Sequence, residues 1–182
     1  NTVLLKALLA AGVEDAAFAT IWDPIAVRFC RAAGPGARLR LRFGGKSAAG
    51  IGDPIDAEIL VKRTFENATQ SFRDAVVSLG PSAVIEVGGI EVILNSFRAQ
   101  AFEPSIFTNQ GIDATAKQVL GVKSTNHFQA GFAKISADIL YVECPGLYPV
   151  DYHKAGYTRV RRPLWPLDDI DWAAVERHQI FA

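Results

Sequence analysis

The chain has 182 residues, 49% of them hydrophobic and 21% charged, a size and balance that suit one compact domain or a large piece of a bigger protein. Nineteen basic residues offset nineteen acidic ones for a formal net charge of zero, which removes the overall electrostatic case for nucleic acid or an anionic membrane. No apolar run approaches the roughly 20 residues of a membrane helix, and neither Cys30 nor Cys144 reads as part of a zinc motif or a disulfide framework, so two buried structural thiols in a cytoplasmic protein are expected.

Asn1-Thr2 leads straight into the helical pattern Val3, Leu4, Leu5, Leu8, Leu9, closed by Gly12. Opening on a helix without any Met predicts a segment of a longer polypeptide, with sequence upstream. Ala16 to Ile21 is a short buried strand, and Asp23-Pro24 starts a helix with Asp as N-cap and Pro at the first helical position; it ends at Gly34-Pro35-Gly36. Ala37, Leu39, Leu41 and Phe43 alternate with Arg38, Arg40 and Arg42, a half-buried strand with one arginine face, paired with Glu58 across strands. After a glycine-rich loop, Ala57 to Phe65 is a strand, followed by strands at Ala75 to Leu79, Ala83 to Val87 and Ile90 to Asn95. Gly88-Gly89 joins the last two as a primed-type hairpin turn.

Helices return from Pro104 to Gln110, with Asp113 capping a short turn. Gln118 to Val122 is a buried strand running into Lys123, Ser124, Thr125, Asn126 and His127, and a helix from about His127 to Ala137 follows. Ile139 to Val142 is one more buried strand. The tail is extended, with Asp171 capping a final short helix. The expected fold class is α/β: a mixed sheet with antiparallel hairpins in the middle, βα units at both ends and helices packed on the sheet, all in a single domain over residues 1–182.

Two phosphate motifs fail. Gly45-Lys46-Ser47 needs a glycine at position 40, which is Arg, and Gly50-Ile51-Gly52 needs one at 55, which is Ile; a plain surface loop is expected, though its amides could face an anion. His127, His153 and His178 lack the spacing that places two metal ligands on one helix face. Lys123, Ser124 and His127 straddle a strand-to-helix junction, where free amides and a cation stabilise developing negative charge and an imidazole can move a proton. Asn95, Ser96, Arg98 and Gln100 form a second polar cluster past another strand, in which Arg98 offers a bidentate carboxylate clamp or simply pairs with Glu103 or Asp113.

These clusters carry a resemblance. Asn95-Ser96-Phe97-Arg98-Ala99-Gln100-Ala101-Phe102-Glu103-Pro104, Phe107, Gly111-Ile112-Asp113, Val122-Lys123-Ser124 and His127-Phe128 resemble the C-terminal domain of the MlrC family, the microcystin-degradation metallopeptidases. Ile21-Trp22-Asp23-Pro24, Gly44-Gly45-Lys46 and Pro163-Leu164-Trp165-Pro166-Leu167-Asp168 are similar in order and spacing, the likeness weakening after Pro145. The resemblance implies one domain of a two-domain zinc hydrolase whose metal ligands lie in an N-terminal partner domain, with no metal ligand in this chain and a small peptide as substrate. It implies His127 and Lys123 as catalytic groups and Ser124, Asn95, Arg98 and Gln100 as substrate-binding ones. The competing expectation is a non-catalytic module for interdomain packing or homodimerisation, with the Arg38, Arg40 and Arg42 face covered.

Overall fold

The computed structural model describes residues 2–48, 50–146 and 151–173, in two compact units, Asn1–Gly146 and Leu147–Ala182. The first unit runs α1 (Val3–Ala10), β1 (Ala16–Trp22), α2 (Pro24–Ala33), β2 (Arg38–Phe43), β3 (Ile55–Phe72), β4 (Ala75–Val87), β5 (Ile90–Asn95), α3 (Ser105–Thr108), β6 (Val119–Val122) and α4 (Gln129–Phe132). Its strands form one sheet in the order β2-β3-β4-β5-β1-β6. β1 pairs in parallel with both β5 and β6, while β2 through β5 are antiparallel neighbours. The mixed α/β sheet expected from the sequence is therefore the observed architecture.

β1 reads as an unbroken apolar run because it is buried on both faces. On one side Leu5 of α1 and Ala26, Val27 and Cys30 of α2 pack with Phe18, Ile21, Ile85, Val92 and Leu94. On the other, Ile106 and Phe107 of α3, with Phe128 and Phe132, pack with Ala17, Ala19, Val84 and Ile93. The connection leaving β1 thus covers one face and the connection from β5 to β6 covers the other. Such a reversal opens a crevice at the carboxyl ends of the parallel strands. The bulge between Ala19 and Ile21 in the β1–β5 register lies at this end.

Two strands are longer than their sequence pattern predicts. Ala75–Val87 is one strand, not two, although Gly80-Pro81 interrupts it. Gly80 sits at φ 68° under the Phe97 ring, and Pro81, which has no N–H to donate, falls opposite an irregularity of β3 between Phe65 and Ala68, so no ladder bond is lost. β3 continues through the polar stretch 66–72, where fully buried Gln70 is tied to the backbone of Gln100 and Phe102. Gly88 and Gly89, both at positive φ, make the expected primed turn.

Several expectations are corrected, beginning with the buried strand at Gln118 to Val122: β6 is an edge strand with Val119 exposed, because only β1 flanks it. The helix predicted from His127 to Ala137 is only α4, four residues long, so the free amides of a long helix are not available at His127. Ile139 to Val142 pairs with no described strand; Leu140, Tyr141 and Val142 are exposed, and apolar side chains alone do not make a strand without a neighbour to receive the backbone bonds. On the arginine face, which is exposed, the ion pair is Arg42 with Asp56 at 3.2 Å rather than with Glu58, which stands opposite Arg40. Cys30 is buried as expected, whereas Cys144 is half-buried.

In the second unit a 3-10 turn, Tyr152–Ala155, is capped by Asp151, which accepts from the His153 N–H at 3.0 Å. Arg162 is paired with Asp168, which also accepts from the Leu164 N–H at 2.6 Å. Asp171 accepts from the Ala173 N–H at 3.0 Å; the helix expected after it lies outside the described residues. No helix among the described residues is long and apolar enough to cross a membrane.

Candidate functional site

A cleft of about 360 Å³ lies where the topology predicts a crevice. Thr20, Ile21 and Trp22 at the end of β1, Arg98, Ala99, Gln100 and Phe102 after β5, and Lys123 after β6 form one side, while Gly45, Ser47 and Ile51 of the 44–54 loop and Val77 of β4 complete it. Its volume is in the range of small-ligand sites.

The two polar clusters found in sequence converge here. Lys123 donates its N–H to Ala19 O at 2.9 Å, and its carbonyl accepts from the Ala101 N–H at 3.1 Å. Gln70 holds the same segment: its Nε2 donates to Gln100 O at 2.6 Å and its Oε1 accepts from the Phe102 N–H at 3.0 Å. Ser124 Oγ donates to Gln100 Oε1 at 3.4 Å, so Ser124 supports Gln100 from outside the cleft-lining set. Asn95 is fully buried at the end of β5, its Nδ2 donating to Phe97 O, which fixes the turn leading to Arg98.

Trp22 organises the cationic wall. Its indole N–H donates to Ser96 O at 2.8 Å, and the Arg98 guanidinium lies 4.2 Å from its ring centroid, a cation–π contact. Arg98 pairs with neither Glu103 nor Asp113: Glu103 accepts from the Arg73 N–H and Asp113 caps Thr115. Among the described residues no carboxylate forms an ion pair with Arg98 or Lys123. His127 is exposed and does not line the cleft; its ring meets Phe102 edge-on at 5.9 Å and Phe72 at 5.3 Å.

The opposite wall is the glycine-rich loop that the sequence reads as plain surface. Asp23, 1% exposed, caps α2 by accepting from the Ala26 N–H at 3.0 Å and, with its other oxygen, accepts from the Gly44 N–H at 2.9 Å and Lys46 Nζ at 2.7 Å. Phe43 pairs with Ile55 at the far end of β3 from the residues level with Asn95. The reach of Asp23 to Gly44 therefore shows that the antiparallel half of the sheet curls round α2, which touches β2, β3, β4 and β5. Gly45 has φ 63°, and a Cβ there would lie 2.4 Å from Pro54 N. Sequence reasoning found Asp23 as a cap but missed its second role; the signal was an Asp shared between a helix start and a Gly-Gly-Lys about 20 residues on. Burial, then the nearby Asp23 charge, push the Cys30 thiol up to about 11, so it is not a nucleophile.

The donor set does not suit a metal. The cleft offers two cations, hydroxyls and an amide, with no carboxylate, imidazole or thiol, and no three His, Cys, Asp or Glu side chains cluster among the described residues.

The family described as MlrC C-terminus matches residues 1–159. Microcystinase C of a Sphingomonas species is 30% identical over 171 residues, which cover 93% of this chain and 33% of that protein. A crystal structure of a protein from Mesorhizobium sp. BNC1, described as a "Putative metallopeptidase", shares the fold with a TM-score of 0.80 at 24% identity, over 94% of this chain and 35% of that one. The chain thus spans about a third of the length of each of these relatives. With the polar clusters quoted from the sequence gathered at one end of the sheet, the chain belongs to the MlrC family as its C-terminal domain.

Proposed function

We propose that residues 1–182 are the C-terminal domain of a cytoplasmic metal-dependent hydrolase that cleaves amide bonds of small or linearised peptides, and that the cleft at the strand ends is this domain's share of the active site. The observation that carries the reading is an uncompensated pair of cations, Arg98 and Lys123, in a cleft at the carboxyl ends of β1, β5 and β6. The names of the two relatives point to peptide hydrolysis with a metal. The donor set here does not suit a metal, so this reading assigns the zinc to the N-terminal part of the longer protein, which is this domain's partner.

What this chain supplies is binding and charge. The Lys123 ammonium stabilises negative charge developing on the carbonyl oxygen of the scissile bond. Arg98 and Gln100 orient the peptide, with Ser124 holding Gln100 and Asn95 holding the turn. His127, outside the lining but packed edge-on against Phe102, is assigned the proton for the leaving amine. In the longer protein, Lys123→Ala is expected to lower kcat by roughly 100-fold or more, and His127→Ala by at least about 100-fold, measured as hydrolysis of a linear peptide. Unchanged hydrolysis in both variants would overturn the catalytic reading and leave an interdomain or dimerisation module.

A further inference from the structure

We propose that Thr2 is a positioning residue for the cleft, acting through the 44–54 loop that forms one of its walls. Thr2 stands at the N-cap position of α1, where a threonine hydroxyl ordinarily accepts from an amide of the first helical turn. It does not do so here: its backbone is already helical, at φ −93° and ψ −10°, and its side chain makes no capping bond. Oγ1 instead donates to Asp53 O at 2.7 Å, 51 positions along the chain. Thr2 is fully buried, and its hydroxyl serves the loop, not the helix.

The same side chain touches both stems of the loop. A Cβ at Gly44 would lie 2.5 Å from the Thr2 methyl, and one at Gly52 would lie 2.6 Å from its hydroxyl. Both glycines have positive φ, 69° and 94°, and their lack of a side chain is what lets Thr2 sit between them. Asp23, at the start of α2, holds Gly44 and Lys46 on the first stem; Thr2, at the start of α1, holds Asp53 on the second. Between these two anchors Gly45, Ser47 and Ile51 line the cleft. Loss of the Thr2 hydroxyl therefore frees one end of the wall while leaving α1 as it is. A loosened wall must be ordered again whenever substrate binds, and a wall that only encloses the substrate holds ground and transition states alike, so the effect falls on KM and not on kcat. The KM effect rests on the hydrolase reading above; the loosening of the loop does not.

The test compares Thr2→Val, which keeps the shape and loses the hydroxyl, with Thr2→Ser, which keeps the hydroxyl and loses the methyl. In the 182-residue chain, NMR hydrogen exchange reads the Gly44 amide, bonded to Asp23 on the stem packed against the freed one, and the Lys6 amide, bonded to Thr2 O inside α1. Thr2→Val is expected to speed exchange at Gly44 by roughly 3- to 10-fold, the contribution of one hydrogen bond, and to leave Lys6 unchanged. Thr2→Ser should keep the parent rates at both. In the longer protein Thr2→Val is expected to raise KM for a linear peptide by a similar factor with kcat within about twofold, and Thr2→Ser to match the parent. Unfolding temperatures check that both variants fold, and partial unfolding would give the opposite pattern, a lower kcat at unchanged KM. Faster exchange at Lys6 with Gly44 unchanged would make Thr2 a helix cap and overturn the proposal. So would a Thr2→Val chain that exchanges like the parent, a Thr2→Ser chain that exchanges like Thr2→Val, or a freed loop with KM unchanged. A longer protein that hydrolyses no peptide removes the hydrolase reading alone, and exchange at Gly44 then decides whether Thr2 holds the wall.

Discussion

Replacing Asp23 tests the link between the sheet's curl and the cleft wall. Asp23→Ala removes the N-cap of α2, which costs about 1 kcal/mol, and strands the Gly44 N–H in a buried position, which costs about 1–3 kcal/mol more. Lys46 loses its carboxylate as well, but at 29% side-chain exposure it can turn to water, so its share is small. The sum is roughly 2–4 kcal/mol, which for a domain of this size lowers the unfolding midpoint by roughly 5–15 °C. Scanning calorimetry of three variants separates the terms. Asp23→Asn keeps one good acceptor, which can serve Ala26 or Gly44 but not the lysine charge, and falls between Asp23→Ala and Lys46→Ala, the mildest. A Lys46→Ala change as costly as Asp23→Ala, or all three within about 1 °C of the parent protein, would refute the assignment of Asp23 as joint anchor of helix and loop.

Gly45→Ala puts a methyl 2.4 Å from Pro54 N at a φ of 63°; it should destabilise the protein by about 1–3 kcal/mol in urea unfolding and weaken peptide binding, because the backbone of the cleft wall must move. Iodoacetamide at pH 8 should label Cys144 and leave Cys30 unmodified in the native protein, since Cys30 is fully buried with its thiol pushed up to about 11; mass spectrometry reads this directly. The Asp168 carboxyl, held down to about 2 by its hydrogen bonds from Arg162 and then Leu164, should titrate by NMR about two units below an unfolded Asp near 3.9. The sign follows from the depressed value: the 162–168 turn keeps this stabilisation above about pH 4 and loses it as pH falls through 2, and Arg162→Ala returns the midpoint toward 4.

β1 and β5 and their polar ends were legible because burial on both faces demands a continuous apolar run, and the chain must turn polar where such a strand leaves the core; β6, at the sheet edge, is only partly buried. Gly88-Gly89 was legible for a local reason, the need for positive φ at two successive positions. What escaped depends on residues distant in sequence. Residues 66–72 look like a polar loop until Gln70 is seen bonded to residues 100 and 102. Gly80-Pro81 looks like a strand break until the opposite irregularity in β3 removes the need for a donor. Ile139 to Val142 failed in the other direction, its local preference for a strand finding no edge to join.

The same separation governs the charges. Lys46 and Lys123 are equivalent in composition, and Lys46 had the more suggestive motif around it. Burial decides between them. Asp23 is inside because α2 must be capped against the sheet, and an ionised carboxylate that deep requires a cation and amide donors, so it claims Lys46 and Gly44. Lys123 follows a strand whose neighbours supply only backbone groups, and Arg98 leans on an indole. Among the described residues neither pairs with an acid. A net charge of zero therefore says nothing about the cleft, because nearby pairs cancel within their own few ångströms while an unpaired couple in a half-enclosed space keeps its field. A local positive site within a neutral chain keeps that field at one end of the sheet.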